Sequence, residues 1–178
     1  MKFRIFGLLF GILWLTTCGH NLNTQTSFIL PYAEGSSFKL IQGNNGPWGH
    51  SGHAAYAFDF VMPIGSPVLA AQAGIVVAVE EQYVDNTRTP GEENFVIIQH
   101  ADSSFGRYYH LTKNGAFVAV GDPIKQGQTI AISGNSGATA GAHLHFDVTT
   151  LCFEWGCQTR WISFINASTD TLIVGEFY

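Results

Sequence analysis

Two histidines separated by one residue are the clearest chemical feature of this sequence of 178 residues. They are the first and third residues of the segment HLHFD, which ends at Asp147. Successive side chains of a β-strand point to opposite faces. His143, His145 and Asp147 are therefore predicted to share one face of a strand, while Leu144 and Phe146 point to the core. Two imidazoles on one face can contact a metal ion together, but an isolated His-x-His pair is weak evidence, so the other groups of such a site must come from elsewhere.

A carboxylate in an apolar segment is the second feature. Asp59 lies in the segment YAFDF at residues 56–60. A buried charge without a partner is costly, so this carboxylate needs a cation. A salt bridge is the ordinary alternative, but no lysine or arginine occurs between Lys39 and Arg88. A metal ion is therefore the better partner.

Further histidines can complete the donor set of a zinc hydrolase. His50 and His53 precede Asp59 in the segment GHSGH, and His110 stands in the segment RYYHL. A catalytic zinc site has three protein ligands and a fourth position for water. The metal lowers the pKa of that water to about 7 and polarises a substrate carbonyl, while histidines beside it move a proton or stabilise an oxyanion. The sequence has no GxSxG, HExxH or P-loop motif, so it favours a hydrolase with a different metal motif.

The composition limits the class of protein that carries these groups. The chain has 13 acidic and 8 basic residues, a net charge of −5, with 46% hydrophobic and 12% charged residues. This balance argues against a disordered chain and against a nucleic-acid partner held by phosphate contacts. The length suits a single domain, and we expect a monomer.

Short strands separated by glycine and proline must position the chemical groups. This pattern predicts an all-β domain at residues 36–150, built as a small sandwich or barrel. The predicted strands cover residues 57–61, 68–70, 75–80, 95–100, 106–111, 128–132 and 143–148.

The N-terminus has the features of an export signal. Two basic residues precede an apolar run of 11 residues at positions 5–15, which is too short to span a membrane and typical of a signal peptide. Residues 1–17 are predicted to be a lipoprotein-type signal, with Cys18 as the lipidated residue that anchors the protein in a membrane. Residues 18–35 then form a tether. A periplasmic, outer-membrane lipoprotein is expected, and plain secretion after a nearby cut is the alternative.

Two cysteines remain after Cys18. Cys152 and Cys157 flank a glycine-containing turn, and in an exported protein such a pair predicts a local disulfide. Two free buried thiols are the alternative. Residues 151–178 are expected to be a C-terminal extension that packs on the domain.

Several segments resemble, in order, the lysostaphin/LytM-type zinc peptidoglycan endopeptidases. The resemblance covers residues 48–148 and rests on the segments HSGHAAYAFDFVMPIGSPVLAAQAGIVVAV, NFVIIQH, RYYHL, VAVGDPIKQGQTIAISGNSG and HLHFDV. It implies an antiparallel sheet and small sandwich of the duplicated hybrid motif (barrel-sandwich) type. It also implies Zn²⁺ bound by Asp59 and His145, catalysis by His110 and His143, and peptidoglycan peptides as substrates. A non-catalytic LytM-like module that binds the wall or activates another hydrolase is the alternative.

The first metal ligand is where the sequence departs from the family. The commonest family motif places a histidine four residues before the aspartate, and that position here is Ala55. Strand parity favours His53, an even number of residues before Asp59. The family's His-x-Gly triplet instead matches the segment that begins at His50, and we therefore predict His50.

The remaining polar residues have simpler predictions. His100 is expected to be structural, and Arg107 and Lys113 to be solvated. Asp147 either orients a neighbouring metal ligand or caps its strand. Tyr108 either lines the cleft or packs in the core.

Overall fold

A computed structural model describes residues 27–178, and the regular secondary structure of this part of the chain is almost entirely β. The signal peptide predicted for residues 1–17 and the lipid anchor predicted at Cys18 lie outside the described residues. Among residues 27–178, no helix has the length and apolar character needed to cross a membrane. All paired strands are antiparallel, so the predicted all-β class is confirmed.

Within residues 27–178, ten strands form two sheets. They are β1 (Leu40–Gln42), β2 (Ala57–Phe60), β3 (Pro67–Leu69), β4 (Gly74–Glu80), β5 (Phe95–Gln99), β6 (Ser104–Tyr109), β7 (Leu111–Ala116), β8 (Pro123–Ile124), β9 (Thr129–Ser133) and β10 (Leu144–Thr150). The larger sheet has the order β1-β2-β10-β6-β5-β4-β8, and the smaller has the order β3-β9-β7. A single 3₁₀ turn, Gly52–Ala54, lies between β1 and β2.

The core is built from apolar side chains of both sheets. Phe60 and Phe146 come from the larger sheet, Val68 and Ile130 from the smaller, and all are buried in one cluster. Along β10, alternate residues enter this cluster while the residues between them face a cleft. The face predicted from the HLHFD segment is therefore the observed one.

One segment that was predicted as a single strand belongs to two strands. The segment 106–111 divides because β6 ends at Tyr109 and Leu111 begins β7 in the other sheet. His110 stands between them with φ +64°, in the left-handed region that few residues other than glycine adopt. His110 is therefore at a corner and not within a strand.

Both ends of the described chain belong to the folded domain. Phe28, Leu30 and Tyr32 are buried in the core, so the structure does not support a tether that extends to residue 35. Their apolar side chains are the physical reason, because leaving them in water would be unfavourable. Phe164 of the C-terminal segment lies in the same core and pairs with Phe28 through an isolated bridge. Cys152 and Cys157 are joined by a disulfide.

Candidate active site

A cleft of about 780 Å³ lies over the larger sheet. Its floor is formed where β2, β10 and β6 lie side by side. The register pairs His145 with Asp59 on β2 and with Tyr109 on β6. Residues that are distant in sequence therefore meet in one row across three strands.

Three of the predicted residues bring ligand atoms together. One nitrogen each from His50 and His145 and a carboxylate oxygen of Asp59 lie within 4.8 Å of one another. The Asp59 Oδ1 atom is 2.9 Å from Nδ1 of His145 and 3.2 Å from Nε2 of His50. A two-histidine, one-carboxylate set is a common donor set of catalytic zinc.

His50 shows most clearly that these groups fit a cation. Its side chain is only 2% exposed, and its Nδ1 donates to the carbonyl of Gly43 at 3.0 Å. Its Nε2 atom is buried without a hydrogen-bond partner, 3.2 Å from Oδ1 of Asp59. A buried ring nitrogen this close to a carboxylate is stable only with a positive charge between the two atoms. A metal ion supplies that charge.

The charges of Asp59 and His145 point the same way. Burial raises the pKa of Asp59, but contacts with His145 and His50 outweigh it and hold that pKa well below its ordinary value. Burial likewise lowers the pKa of His145, but hydrogen bonds to Asp147 and Asp59 outweigh it and raise that pKa to about 9. Asp59 and Asp147 thus favour a positive charge at this position, which a proton on His145 supplies, or a metal ion when the ring is neutral and acts as a ligand.

His53 does not join this group. It lies on the 3₁₀ turn at the rim of the cleft, where its ring packs edge-to-face on Trp155 at 5.7 Å. Strand parity favoured His53 only on the assumption of extended chain up to Asp59. The chain turns between β1 and β2 instead, so the parity of the spacing carries no information about side-chain direction.

His110 and His143 face each other beside the three candidate ligands. Their ring centroids are 4.6 Å apart. His143 directly precedes β10, and its Nε2 is 3.7 Å from Oδ1 of Asp59. The Nδ1 atoms donate at 2.8 Å to the carbonyls of Ser136 and Gly141, respectively. These hydrogen bonds fix both tautomers and leave the two Nε2 lone pairs free.

Burial keeps both of these rings neutral. It lowers the pKa of His110 to about 3, and the neighbouring histidines add to the shift. Burial also lowers the pKa of His143, against the opposing charge of Asp59. Both rings are therefore unprotonated at Nε2 at neutral pH, which is the form that a general base needs before it accepts a proton.

Asp147 and Arg107 form a support behind His145. Nε2 of His145 is 3.1 Å from a carboxylate oxygen of Asp147, so Asp147 contacts a candidate ligand. Arg107 donates two hydrogen bonds to that carboxylate, at 2.7 and 2.8 Å. The prediction that Arg107 is solvated is wrong, since it is only 2% exposed. The antiparallel register places it opposite Asp147, and sequence spacing does not show that pairing.

Gln42 is a site residue that the sequence analysis missed. Its amide nitrogen donates to Asp59 Oδ2 at 2.8 Å and to the Trp48 carbonyl at 2.7 Å. Its amide oxygen accepts from the Trp48 N–H at 2.7 Å. One side chain thereby holds the second carboxylate oxygen and the loop that carries His50. A glutamine on a short strand gives no signal of this role in the sequence.

The two tyrosines of β6 take opposite positions. Tyr108 is in the core, where its hydroxyl accepts from the N–H of Ala71 at 2.7 Å. Tyr109 lines the cleft, its ring 5.8 Å from that of His145. His100 is buried outside the cleft and donates to the carbonyl of Ala73 at 2.8 Å.

The chain is similar in sequence to known metallopeptidases. The sequence model of peptidase family M23 matches residues 53–154. Peptidoglycan DD-endopeptidase ShyA of Vibrio cholerae serotype O1 is 39% identical over 90 residues, which are 51% of this chain and 19% of that protein. Glycyl-glycine endopeptidase ALE-1 of Staphylococcus capitis is 34% identical over 108 residues, 61% of this chain and 28% of that protein. The matched segments thus cover less than a third of these two relatives.

A solved structure supports the fold. The crystal structure of a zinc-containing peptidase from Vibrio cholerae superposes with a TM-score of 0.52 and 28% identity, over 68% of this chain and 36% of that chain. The fold expected from the resemblance is confirmed. The family match begins at His53, so the candidate role of His50 rests on the geometry described above.

Proposed function

The chain belongs to peptidase family M23, and from that premise we propose that it is a zinc-dependent endopeptidase of peptidoglycan peptides. The observation that carries the proposal is one cleft that holds both kinds of group such an enzyme needs. Three ligand atoms lie within 4.8 Å of one another, and two neutral histidines stand beside them with free Nε2 atoms.

The zinc ligands in this proposal are Nε2 of His50, Oδ1 of Asp59 and Nδ1 of His145. These are the atoms that approach one another, and hydrogen bonds to the protein hold the other side of each group. A bound zinc ion would supply a Lewis acid that polarises the substrate carbonyl and activates water.

His110 and His143 carry the proton in this proposal. A neutral Nε2 accepts a proton from the attacking water, and the imidazolium so formed can return it to the leaving amine. The second ring can stabilise the carbonyl oxygen that becomes negative during the reaction, but to donate a hydrogen bond to it this ring must be protonated at Nε2. The two rings therefore have to differ in protonation during the reaction. Their separation of 4.6 Å lets both contact one reacting group.

The names of the relatives indicate two kinds of bond, one in a DD-endopeptidase and one in a glycyl-glycine endopeptidase. We favour the cross-link between D-amino acids, of the D-alanyl–diaminopimelate type. The lipoprotein-type signal predicted at residues 1–17 supports this choice, because it suggests a Gram-negative wall, which has no pentaglycine bridge.

The export prediction is part of the same proposal. We propose a periplasmic protein anchored by lipid at Cys18, supported by the order of basic, apolar and cysteine residues at positions 1–18. Labelled palmitate incorporated in the parent chain and absent after Cys18→Ser would support the anchor. Equal labelling, or none in either chain, would refute it.

Digestion of purified peptidoglycan tests the proposed activity. Residues 19–178 would be incubated with the wall polymer, with and without a chelator, and the fragments identified by mass spectrometry. We expect cuts that the chelator abolishes, that added zinc restores and that His145→Ala lacks. Cuts that survive both chelation and His145→Ala would refute a metal mechanism. No cuts despite one zinc per chain would point to a missing activator or a different substrate, and no cuts without bound zinc would favour the non-catalytic module.

A further inference from the structure

We propose that Arg107 is a positioning residue for the metal centre, and that it connects the orientation of His145 to the disulfide-closed loop of residues 152–157. The inference rests on the proposed function, since it assumes that His145 binds a metal. It is argued from one continuous series of contacts that runs from the loop to the metal ligand.

The first contact is between Arg107 and Asp147. The guanidinium donates from Nε to one carboxylate oxygen at 2.7 Å and from Nη2 to the other at 2.8 Å. Asp147 is only 1% exposed, so water cannot replace these donors. Two parallel hydrogen bonds fix the plane of the carboxylate as well as its position.

The second contact is between Asp147 and His145. A carboxylate oxygen that Arg107 holds is 3.1 Å from Nε2 of His145, while Nδ1 of the same ring faces Asp59 at 2.9 Å. A ring that donates Nε2–H to Asp147 has its lone pair on Nδ1, the tautomer that a metal beside Asp59 requires. Carboxylates that hold a ligand histidine in this way fix its tautomer and orientation.

The third contact joins Arg107 to the loop. Its Nη1 donates to the carbonyls of Phe153 at 3.2 Å and Glu154 at 2.9 Å. The Cys152–Cys157 disulfide closes this loop. The next residue, Trp155, lies at the rim of the cleft and contacts His53. The loop therefore holds the side of the guanidinium that Asp147 does not.

This arrangement needs an arginine. Three nitrogens of one planar group bind a carboxylate on one side and two carbonyls on the other. A lysine has one nitrogen on a flexible stem and cannot occupy both sides at once. The charge of Arg107 alone would not orient Asp147, so Arg107→Lys separates geometry from charge.

Zinc affinity of the full chain, measured by competition with a chromogenic chelator, tests the proposal. We expect Arg107→Lys and Asp147→Asn each to weaken zinc binding by about 10- to 100-fold, as for other residues that orient metal ligands. The double variant Cys152→Ser/Cys157→Ser should weaken it in the same direction. Arg160→Lys is the matched control, because Arg160 pairs with Asp102 at 3.0 Å and is not among the residues that line the cleft. Its zinc affinity should equal that of the parent chain.

A second measurement does not depend on whether the buried Arg107 variant folds. NMR of the zinc-loaded parent chain should show a proton on Nε2 of His145 that is protected from exchange with water. The same proton should exchange faster in the disulfide variant, because the carbonyls that hold Arg107 are then free to move. Zinc bound at Nε2 of His145 would overturn the proposal, as would parental zinc affinity in both Arg107→Lys and the disulfide variant.

These outcomes are separable from failure of the proposed function. Zinc affinity and the Nε2 proton can be measured in a chain that cleaves nothing. A parent chain that binds zinc without cutting peptidoglycan would count against peptidoglycan as the substrate and leave the positioning role of Arg107 testable. A parent chain that binds no zinc would overturn both.

Discussion

At the scale of the residue, Asp59 is the point on which the site converges. Its Oδ1 atom faces His50 and His145, and its Oδ2 atom accepts from Gln42. Each oxygen therefore has a separate task, one toward the candidate metal and one toward the supporting amide. The sequence could reveal the carboxylate, because a charge among aromatic residues is conspicuous, but it could not reveal its amide partner.

Exchanging one histidine at a time tests which of the two upstream histidines binds zinc. We expect His50→Ala to lose stoichiometric zinc and peptidase activity, because Nε2 of His50 is the atom that lies 3.2 Å from the carboxylate. His53→Ala is the matched control and should keep one zinc per chain. Metal content after dialysis, measured by atomic emission, checks both. Full zinc in His50→Ala together with loss in His53→Ala would reverse the assignment.

Gln42→Leu tests the support of Asp59. The leucine removes donors to Asp59 and to the loop at Trp48, and leaves a buried carboxylate oxygen without a partner. Such a loss costs about 1–3 kcal/mol, so we expect lower stability and zinc affinity reduced by about 10- to 100-fold.

The control for this change is Gln99→Leu, at an exposed position of β5 outside the cleft. Chelator competition and urea unfolding should give values close to the parent chain for this control. If the two glutamine variants had equal zinc affinity, Gln42 would have no supporting role.

At the scale of the element, the alternation of side chains between the two faces of a strand decides what could be predicted from the sequence. Predictions are wrong where this alternation is interrupted. The period of two residues gave the correct faces of β10 because that strand is regular and half of it enters the core. His110 was placed wrongly, because the sequence RYYHL reads as one strand although the chain turns at a left-handed residue. The cross-strand pairing of Arg107 with Asp147 depends on register, which neither segment specifies alone.

The loop after β9 depends on the absence of a side chain at Gly134. A Cβ atom there would lie 2.3 Å from the backbone nitrogen of Thr112, so the loop can approach the start of β7 only as glycine. The same loop supplies the carbonyls of Ser136 and Gly141 that hold the two candidate catalytic histidines. We expect Gly134→Ala to lose about 1–3 kcal/mol of stability and to lower kcat.

Urea unfolding and steady-state kinetics check this prediction. Gly141→Ala is the control for stability, because a Cβ there would meet no atom within 4 Å. Its free energy of unfolding should stay within about 0.5 kcal/mol of the parent. Equal stability of the two alanine variants would show that the close approach at Gly134 is not required.

At the scale of the whole molecule, the stability of the fold depends on one hydrophobic core and on a small number of charged residues. The larger sheet carries the cleft on one face, and both ends of the described chain pack into the core beneath it. Only 12% of the residues are charged, so the few buried titratable groups have a visible effect on stability. His100 is one such group that takes no part in the site.

The stability of the fold should fall as the pH falls below about 6.5, and His100 should be one cause. Burial lowers the pKa of His100 below its ordinary value of 6.5, and the opposing effects of the Ala73 carbonyl and Asp102 are smaller. Above that pH, the ring is neutral in the folded and unfolded chains alike. Below it, the unfolded chain takes up a proton that the folded chain resists, so the free energy of unfolding decreases until the lowered pKa is reached.

His100→Gln removes this titration and retains a donor for the Ala73 carbonyl. The parent chain and His100→Gln would both be unfolded with urea in the presence of a chelator. The free energy of unfolding should therefore decrease less between pH 7.5 and pH 5 for His100→Gln than for the parent chain. Parallel losses in both chains would mean that His100 is not a source of the acid sensitivity.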